Sequence, residues 1–295
     1  MALRRSRVLA EPARAALASL VSAPRFELIP LKTVDAQSQF LPAGATVTVT
    51  ASPAKGIEAT VELSARLAER GFRVIPHLAA RMVRDRAHLQ TLLADIDAAG
   101  IRSVFVVGGD ADEPGDFPDG LSLLRAMAEI GHRLTDIGIP AYPQGHATIP
   151  DDRLLAALAD KQPFATSMTT QLCFDPGAIR TWLAARRAAG IILPVYFGIP
   201  GVAELHKLIE ISARIGVRDS RRFLAKNTAL VGRILRPGGY RPDGLLADLA
   251  PLVLDPVADV RGLHLYTFNQ VETTEEWRQA YLAGLIALGP ARVGA

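Results

Sequence analysis

Three polar side chains lie where apolar runs of the chain would bury them or present them to a ligand. Glu27 is inside the run FELIPL, and an isolated buried carboxylate is costly unless it is paired or serves in proton transfer. Asp110 follows Gly108 and Gly109 at the end of SVFVVGG, where it could contact a ligand or only cap a turn. Gln171 in SMTTQLC carries several hydrogen-bonding groups that need partners, which favours a polar ligand. The pattern predicts an enzyme or a pocket binder with an acid at its centre.

Other polar residues occur at the ends of further apolar runs, and nitrogen and oxygen ligands among them would suit zinc or manganese. The first run carries no His-x-His pair, however, so we expect no metal. The chain also has no Gly-x-Ser-x-Gly nucleophile turn and no P-loop. The further candidates at these ends are Thr50, His77, Tyr142 and His146. Of these, His77 could equally be an ordinary buried histidine.

The elements that would position these side chains alternate along the chain. Eight short apolar runs are separated by stretches with apolar residues at helical spacing, and five of these stretches end in a glycine typical of a helix C-cap. Alternating strands and helices imply a parallel sheet, and eight repeats are the number that closes a (β/α)8 TIM barrel. An open doubly wound sheet is the alternative, but no glycine fingerprint follows the first run. The runs are 26–31, 46–51, 73–78, 103–109, 136–142, 167–173, 192–199 and 262–268, and the glycines are Gly71, Gly100, Gly131, Gly190 and Gly216.

Two segments do not belong to this repeat. Residues 2–20 predict a leading helix that closes the bottom of the barrel, and residues 217–260 predict a helical insertion before the eighth strand. No linker composition separates any part, so we expect one domain over residues 1–295. In a TIM barrel the active site lies at the carboxyl ends of the strands, where the polar residues above would meet.

Composition excludes several classes of protein. The 33 basic and 30 acidic side chains give a net charge of +3, and the basic residues are scattered, which argues against nucleic-acid binding. Cys173 is the only cysteine, so neither an intrachain disulfide nor a thiolate zinc site is expected. No apolar stretch is long enough to span a membrane. We expect a soluble cytoplasmic protein; a homo-oligomer is compatible with the composition, but no heptad specifies one.

In their order along the chain, the residues at the strand ends resemble the methylenetetrahydrofolate reductase family. The resemblance covers about residues 25–285 and keeps the order of every strand. Each short motif is weak by itself, but seven in the right order are specific. They are Phe26-Glu27 with Pro30, Pro76-His77-Leu78, Gly100-Ile101-Arg102 with Gly109-Asp110, Ala141-Tyr142-Pro143 with His146, Thr170-Gln171 with Phe174-Asp175, Gly198-Ile199, and His264-Leu265-Tyr266-Thr267-Phe268-Asn269.

The resemblance implies a TIM-barrel oxidoreductase of one-carbon and methionine metabolism. Such an enzyme reduces 5,10-methylenetetrahydrofolate to 5-methyltetrahydrofolate with hydride from FAD, which NAD(P)H recharges. By the same resemblance Glu27 is the acid that protonates the folate nitrogen, Asp110 lies between pterin and flavin, and Gln171 binds the pterin. Residues on the flavin side would be Thr50, His77, Gly109, Asp110, Tyr142, His146 and Lys161.

The sequence departs from the family pattern on the flavin side. The arginine that precedes Gly-Asp in the family is Gly108 here, and the helix after the fifth strand reads LLAALADK, where Lys161 alone remains of the usual polar and basic residues. Three acids, Asp112, Glu113 and Asp116, follow Asp110 in the loop after the fourth strand. We therefore expect FAD to be bound weakly, bound differently, or replaced by direct reduction from a nicotinamide or another carrier.

Two further functions are open on the residues alone. One is a pterin-dependent methyl-transfer or demethylation protein that needs no reductant. The other is a folate-binding paralogue without turnover. The carboxylate at position 27 argues against the second function, because binding alone does not need a buried acid.

Overall fold

Eight parallel strands close on themselves in sequence order, so that β1 pairs with both β2 and β8. The computed structural model describes residues 9–146, 148–202 and 240–287. The strands are β1 Arg25–Leu28, β2 Thr46–Val49, β3 Arg73–Ala79, β4 Ser103–Val107, β5 Asp136–Ala141, β6 Ser167–Thr170, β7 Val195–Pro200 and β8 Val260–Tyr266. The predicted (β/α)8 TIM barrel is confirmed.

Helices surround the sheet and start and stop at residues that suit those positions. Asp119 and Ser122 form a capping box at the start of α5, and the backbone of Gly131 ends that helix with a positive φ. Of the predicted glycine ends, Gly71, Gly100 and Gly190 also have positive φ, while Gly216 lies outside the described residues. The described α-helices are α1 Glu11–Ser22, α2 Val34–Ser38, α3 Ile57–Glu69, α4 Arg86–Ala98, α5 Gly120–Ile130, α6 Asp151–Lys161, α7 Pro176–Ala188, α8 Asp243–Leu254 and α9 Val271–Ala287.

The two segments outside the repeat are partly described. The leading helix is α1, which packs against α8, α9 and β8. Of the predicted insertion, α8 is described and precedes β8, whereas the part over 217–239 lies outside the described residues, as does the predicted helix over 203–216. That residues 1–295 form one domain stays a prediction.

The two faces of the sheet differ in chemistry. The main hydrophobic cluster joins the helices to the outer face of the strands, through residues such as Phe26, Leu28 and Val47. Strand residues that alternate with these point the other way, into the barrel, and many of them are polar: Arg25, Glu27, Thr48, His77, Asp136, Thr169 and His264. The barrel interior is therefore a polar lumen, and apolar packing outside it holds the strands together.

An ion pair crosses this lumen near the amino ends of the strands. An Arg25 nitrogen lies 2.9 Å from an Asp136 oxygen, joining β1 to β5 on the opposite side of the barrel. The Arg25 guanidinium also stacks on the Tyr196 ring, with its central carbon 3.4 Å from the ring centroid. Gly262 of β8 leaves room for that ring, because a Cβ there would lie 2.7 Å from it. Charge and aromatic contacts thus fill the lower lumen in place of the branched aliphatic layers usual in TIM barrels.

Candidate active site

Glu27 lies near the carboxyl end of β1 and points into the lumen. Its side chain is 11% exposed, and its Oε2 lies 3.2 Å from Nε2 of His264, whose side chain is 3% exposed. His264 comes from β8, the strand that pairs with β1 to close the barrel. A buried carboxyl group next to an imidazole can exchange a proton with it, and both can take part in acid–base chemistry.

The chain immediately after β8 holds the backbone of Glu27 and of Ile29, two residues further on. The Thr267 hydroxyl donates a hydrogen bond to the Glu27 carbonyl. The Asn269 side chain accepts from the Ile29 N–H and donates to the Ile29 carbonyl, both at 2.8 Å. Asn269 has a φ of 53°, a left-handed conformation that asparagine tolerates better than most residues. The position of the Glu27 backbone is thus fixed without any contribution from its carboxyl group.

His77 is buried in the lumen as a neutral imidazole. Burial, together with the charge of His264, lowers its pKa to about 3. Its ring centroid lies 4.8 Å from that of Phe105. Among the described residues, its Nε2 has no hydrogen-bond partner, and the same holds for the hydroxyls of Thr48 and Thr169. Buried polar atoms of this kind usually bind water or a ligand, so the lumen is suited to polar contents.

Four polar groups continue from the lumen to its mouth. The Tyr266 hydroxyl lies 3.0 Å from Oε1 of Gln171. Burial and, secondarily, the charges of Glu27 and Tyr142 raise the pKa of Tyr266 well above its ordinary value. Burial and the charge of Asp110 raise the pKa of Tyr142 to about 12. Both phenols are therefore neutral hydrogen-bond donors at physiological pH, and both lie within electrostatic reach of a carboxylate.

The loop between β4 and α5, which begins with Gly108 and Gly109, is fastened to the segment after β3. Arg81 donates to the carbonyls of Ala111 and Asp112 at 2.7 and 2.8 Å. Gly109 has a φ of +87°, and a Cβ there would lie 3.0 Å from that of Ala79. A Cβ at Gly108 would meet nothing within 4 Å. The loop thus presents Asp110 in an exposed position beside open space.

The remaining predicted residues lie at different depths. Thr50 follows β2, where its backbone N–H donates to Leu28 and its carbonyl accepts from Thr60. His146 is exposed, and its ring meets that of Tyr142 edge to face at 5.3 Å. Lys161 instead faces a crevice of about 30 Å³ between β5, α6 and α7, and burial lowers its pKa.

The structure thus groups most of the predicted residues around one mouth. Glu27, Asp110, Tyr142 and Gln171 are linked by direct contact or by electrostatic interaction through Tyr266. Tyr266, Thr267 and Asn269 lie at the end of the eighth strand, where the sequence predicts polar residues of the mouth. His264 was not predicted as a site residue, although its motif carries the family resemblance. The alternation of β8, which turns His264 to the same face as Glu27, is the signal that could have identified the histidine.

Two kinds of feature are absent from the described residues. Within the ranges stated above, no group of three or more His, Cys, Asp or Glu side chains could hold a metal ion. None of the helices in those ranges combines the length and apolar character that crossing a membrane requires.

Comparisons with known proteins agree with the resemblance in the sequence. The family model described as methylenetetrahydrofolate reductase matches residues 23–220, which include β1 to β7 but not β8. Methylenetetrahydrofolate reductase 1 of Schizosaccharomyces pombe is 24% identical over 183 residues, which are 58% of this chain and 29% of that protein. The matched segment is thus less than a third of the relative's length.

Solved structures with a similar arrangement are more distant. A chitinase from Rhizomucor miehei gives a TM-score of 0.46 at 10% identity, covering 88% of this chain and 99% of that one. Tryptophan synthase from M. tuberculosis gives 0.41 at 17% identity, covering 85% and 100%. At such TM-scores these likenesses support no statement about function.

Proposed function

Because the chain belongs to the methylenetetrahydrofolate reductase family, we propose that it reduces 5,10-methylenetetrahydrofolate to 5-methyltetrahydrofolate. Membership of the family indicates a folate-related oxidoreductase. The specific reaction, the electron donor and the residues below are our proposal. Reduced nicotinamide, NADH or NADPH, is the ultimate source of the hydride.

The observation that carries this proposal is the buried carboxyl group of Glu27 at the mouth of a polar lumen. Opening the five-membered ring of the substrate requires protonation of a folate nitrogen, which leaves an iminium carbon ready to accept hydride. Glu27 has the right chemistry for that donor, and its backbone is held by Thr267 and Asn269. A proton donor placed in this way typically contributes a factor of about 10² to 10⁴ in rate.

Gln171 and Asp110 would bind the pterin ring. The Oε1 of Gln171 accepts from the Tyr266 hydroxyl and from the Leu172 N–H at 2.9 Å. With its oxygen so engaged, the amide group of Gln171 is oriented with its NH₂ available to a ligand acceptor. Asp110 is exposed at the end of β4 and can accept hydrogen bonds from the amino groups of a pterin.

FAD, the usual cofactor of the family, fits the described residues poorly on the side of β4, β5 and α6. Gly108 supplies no cation, and the nearby Arg81 already binds loop carbonyls. Lys161 lines a narrow crevice of about 30 Å³ between β5, α6 and α7, where burial lowers its pKa. Exposed Asp112, Glu113 and Asp116 would also repel phosphate. These features favour direct reduction by the nicotinamide, or a loosely held flavin.

The reaction itself is tested by following NADH and NADPH oxidation with methylenetetrahydrofolate, together with formation of the methyl product. We expect Glu27→Gln to lower kcat by about 10²-fold or more, since it removes the proton donor and keeps the shape. Glu58→Gln is a matched control, because Glu58 also pairs with a buried histidine, His88, at 3.2 Å but lies outside the lumen. Wild-type protein that forms no methyl product would refute the proposal. Product formed from a methyl donor without reductant would favour methyl transfer instead.

The donor is tested by the flavin absorbance of the purified protein, before and after incubation with FAD and desalting. We expect little retained flavin and full activity with nicotinamide alone. Gly108→Arg restores the side chain that the family usually carries, and a Cβ at Gly108 would meet nothing within 4 Å. We expect this variant to retain more FAD than the wild type does. A wild-type protein that keeps one FAD per chain would show that the residues near β4, β5 and α6 do bind FAD after all.

A further inference from the structure

We infer that His264 acts through Glu27, holding its carboxyl group in place and resupplying the proton that Glu27 gives up in each turnover. The inference rests on the proposed reduction, which consumes one proton for every hydride transferred. It starts from the 3.2 Å contact between Nε2 of His264 and Oε2 of Glu27 inside the barrel. The family match does not assign this role to His264, because the matched region ends before β8.

The surroundings of His264 restrict where its proton can go. From β1 it faces Glu27, and from β3 it faces His77. On its own strand the Tyr266 ring lies edge-on at 4.7 Å, while its register partner on β7 is Gly198, which has no side chain. Arg25, its register partner on β1, is paired with Asp136. Glu27 is therefore the one carboxylate within bonding distance of His264 among the described residues.

The other titratable neighbours do not compete for this proton. His77 stays neutral because burial lowers its pKa to about 3. Tyr266 stays protonated because burial raises its pKa well above the ordinary value. Within the described part of the lumen, Glu27 and His264 are therefore the carboxyl group and the imidazole that lie in direct contact, at 3.2 Å.

The proton step can be written with every bond accounted for. The O–H bond of the Glu27 carboxyl breaks as an N–H bond forms on the folate nitrogen, which leaves a carboxylate. The Nε2–H bond of a protonated His264 then breaks as a new O–H bond forms on Oε2 of Glu27. This leaves a neutral imidazole that takes its next proton from water. No oxidant or reductant takes part in these transfers.

A role for His264 in holding the backbone of Glu27 would be redundant with contacts already present. Thr267 and Asn269 fix the backbone of Glu27 and of its neighbour Ile29. An amide in place of the imidazole could still hold the carboxyl oxygen, because glutamine also carries an N–H donor at the end of its side chain. It could not deliver a proton. The substitution His264→Gln therefore separates positioning from proton supply.

The experiment compares kcat and its pH profile in the wild type, His264→Gln and His88→Gln. We expect His264→Gln to lower kcat by about 10²-fold, with folate affinity within about threefold of wild type. We expect the fall of kcat at high pH to begin at lower pH in this variant, because a carboxylic acid loses its proton at lower pH than an imidazolium does. His88 pairs with Glu58 at the same 3.2 Å outside the lumen, so His88→Gln is expected to behave like wild type.

Chemical rescue gives a second, independent measurement. His264→Ala leaves a cavity, and added imidazole should restore activity through its protonated form if proton supply is what was lost. This variant also serves as the test if His264→Gln does not fold. Equal kcat and equal pH profiles in His264→Gln and wild type, or rescue that does not follow the concentration of protonated imidazole, would overturn the inference. An inactive wild type would instead contradict the proposed function, and it would be detected before any variant was made.

Discussion

At the residue scale, the chemistry of the candidate site depends on which groups the lumen keeps neutral. Among the residues that the structure describes, His77 has no carboxylate partner and burial lowers its pKa to about 3, whereas closure of the barrel brings Glu27 and His264 together. One histidine of the lumen is therefore a neutral polar group, and the other is half of an acid–base pair. Residue type alone does not distinguish them.

This difference predicts how stability depends on pH. The pKa of His77 is lowered on folding, so the unfolded chain binds a proton there below about pH 6.5 and the folded chain does not until about pH 3. Stability is therefore lost as the pH falls through this range, by about 2 kcal/mol between pH 6.5 and pH 5. Urea unfolding of wild type and His77→Gln at pH 7 and pH 5 measures the effect. A wild type whose acid sensitivity equals that of the variant would show that His77 is not the cause.

At the element scale, the loop between β4 and α5 carries two adjacent glycines with different roles. Gly109 needs a positive φ and lies against Ala79, whereas Gly108 has ordinary φ and open space beside it. Only the first is required by the fold. The second is where the family carries an arginine, so its small size changes the surface of the mouth and leaves the loop itself intact.

Alanine substitutions distinguish the two positions. We expect Gly109→Ala to lower the free energy of unfolding by about 1 to 3 kcal/mol, because it combines a left-handed backbone with a close contact. Gly108→Ala should change it by less than about 0.5 kcal/mol. Chemical denaturation of both variants gives the comparison. Equal losses at the two positions would mean that the loop is not fastened in the way described here.

The existence of the elements was predictable from the sequence, but some of their ends were not. The apolar run FELIPL predicted a strand through Leu31, whereas β1 ends at Leu28. Pro30 has no N–H and was a local signal for an earlier end, but the strand also ends because the Ile29 N–H bonds to the Asn269 side chain, 240 residues away. A contact across that distance in the chain has no local pattern. The case of His264 is different: the alternation of β8 turns it to the inward face, but its contact with Glu27 forms only when the barrel closes.

At the scale of the whole molecule, the ion pair between Arg25 and Asp136 joins opposite sides of the barrel. Arg25 is buried, whereas the side chain of Asp136 is 28% exposed and also accepts a hydrogen bond from the Thr166 hydroxyl. We therefore expect Arg25→Met to destabilise the protein by about 1 to 3 kcal/mol, below the loss typical of a fully buried pair. We also expect Arg25→Met with Asp136→Leu to recover part of that loss, because neither charge is then left without its partner. Denaturation of the two single variants and the double variant measures the coupling. Additive losses would show that the pair contributes nothing of its own.

That ion pair also bears on how the barrel finds its correct closure during folding. Along β1, Arg25 and Glu27 face inward and Phe26 and Leu28 face outward, so a slip of one residue would exchange the two sets. Such a misaligned barrel would put aromatic and aliphatic side chains in the lumen and leave both Asp136 and His264 without their partners. The same charged residues that prepare the lumen for chemistry therefore penalise misregistered closure, so mutations that make the lumen apolar should also make refolding less faithful.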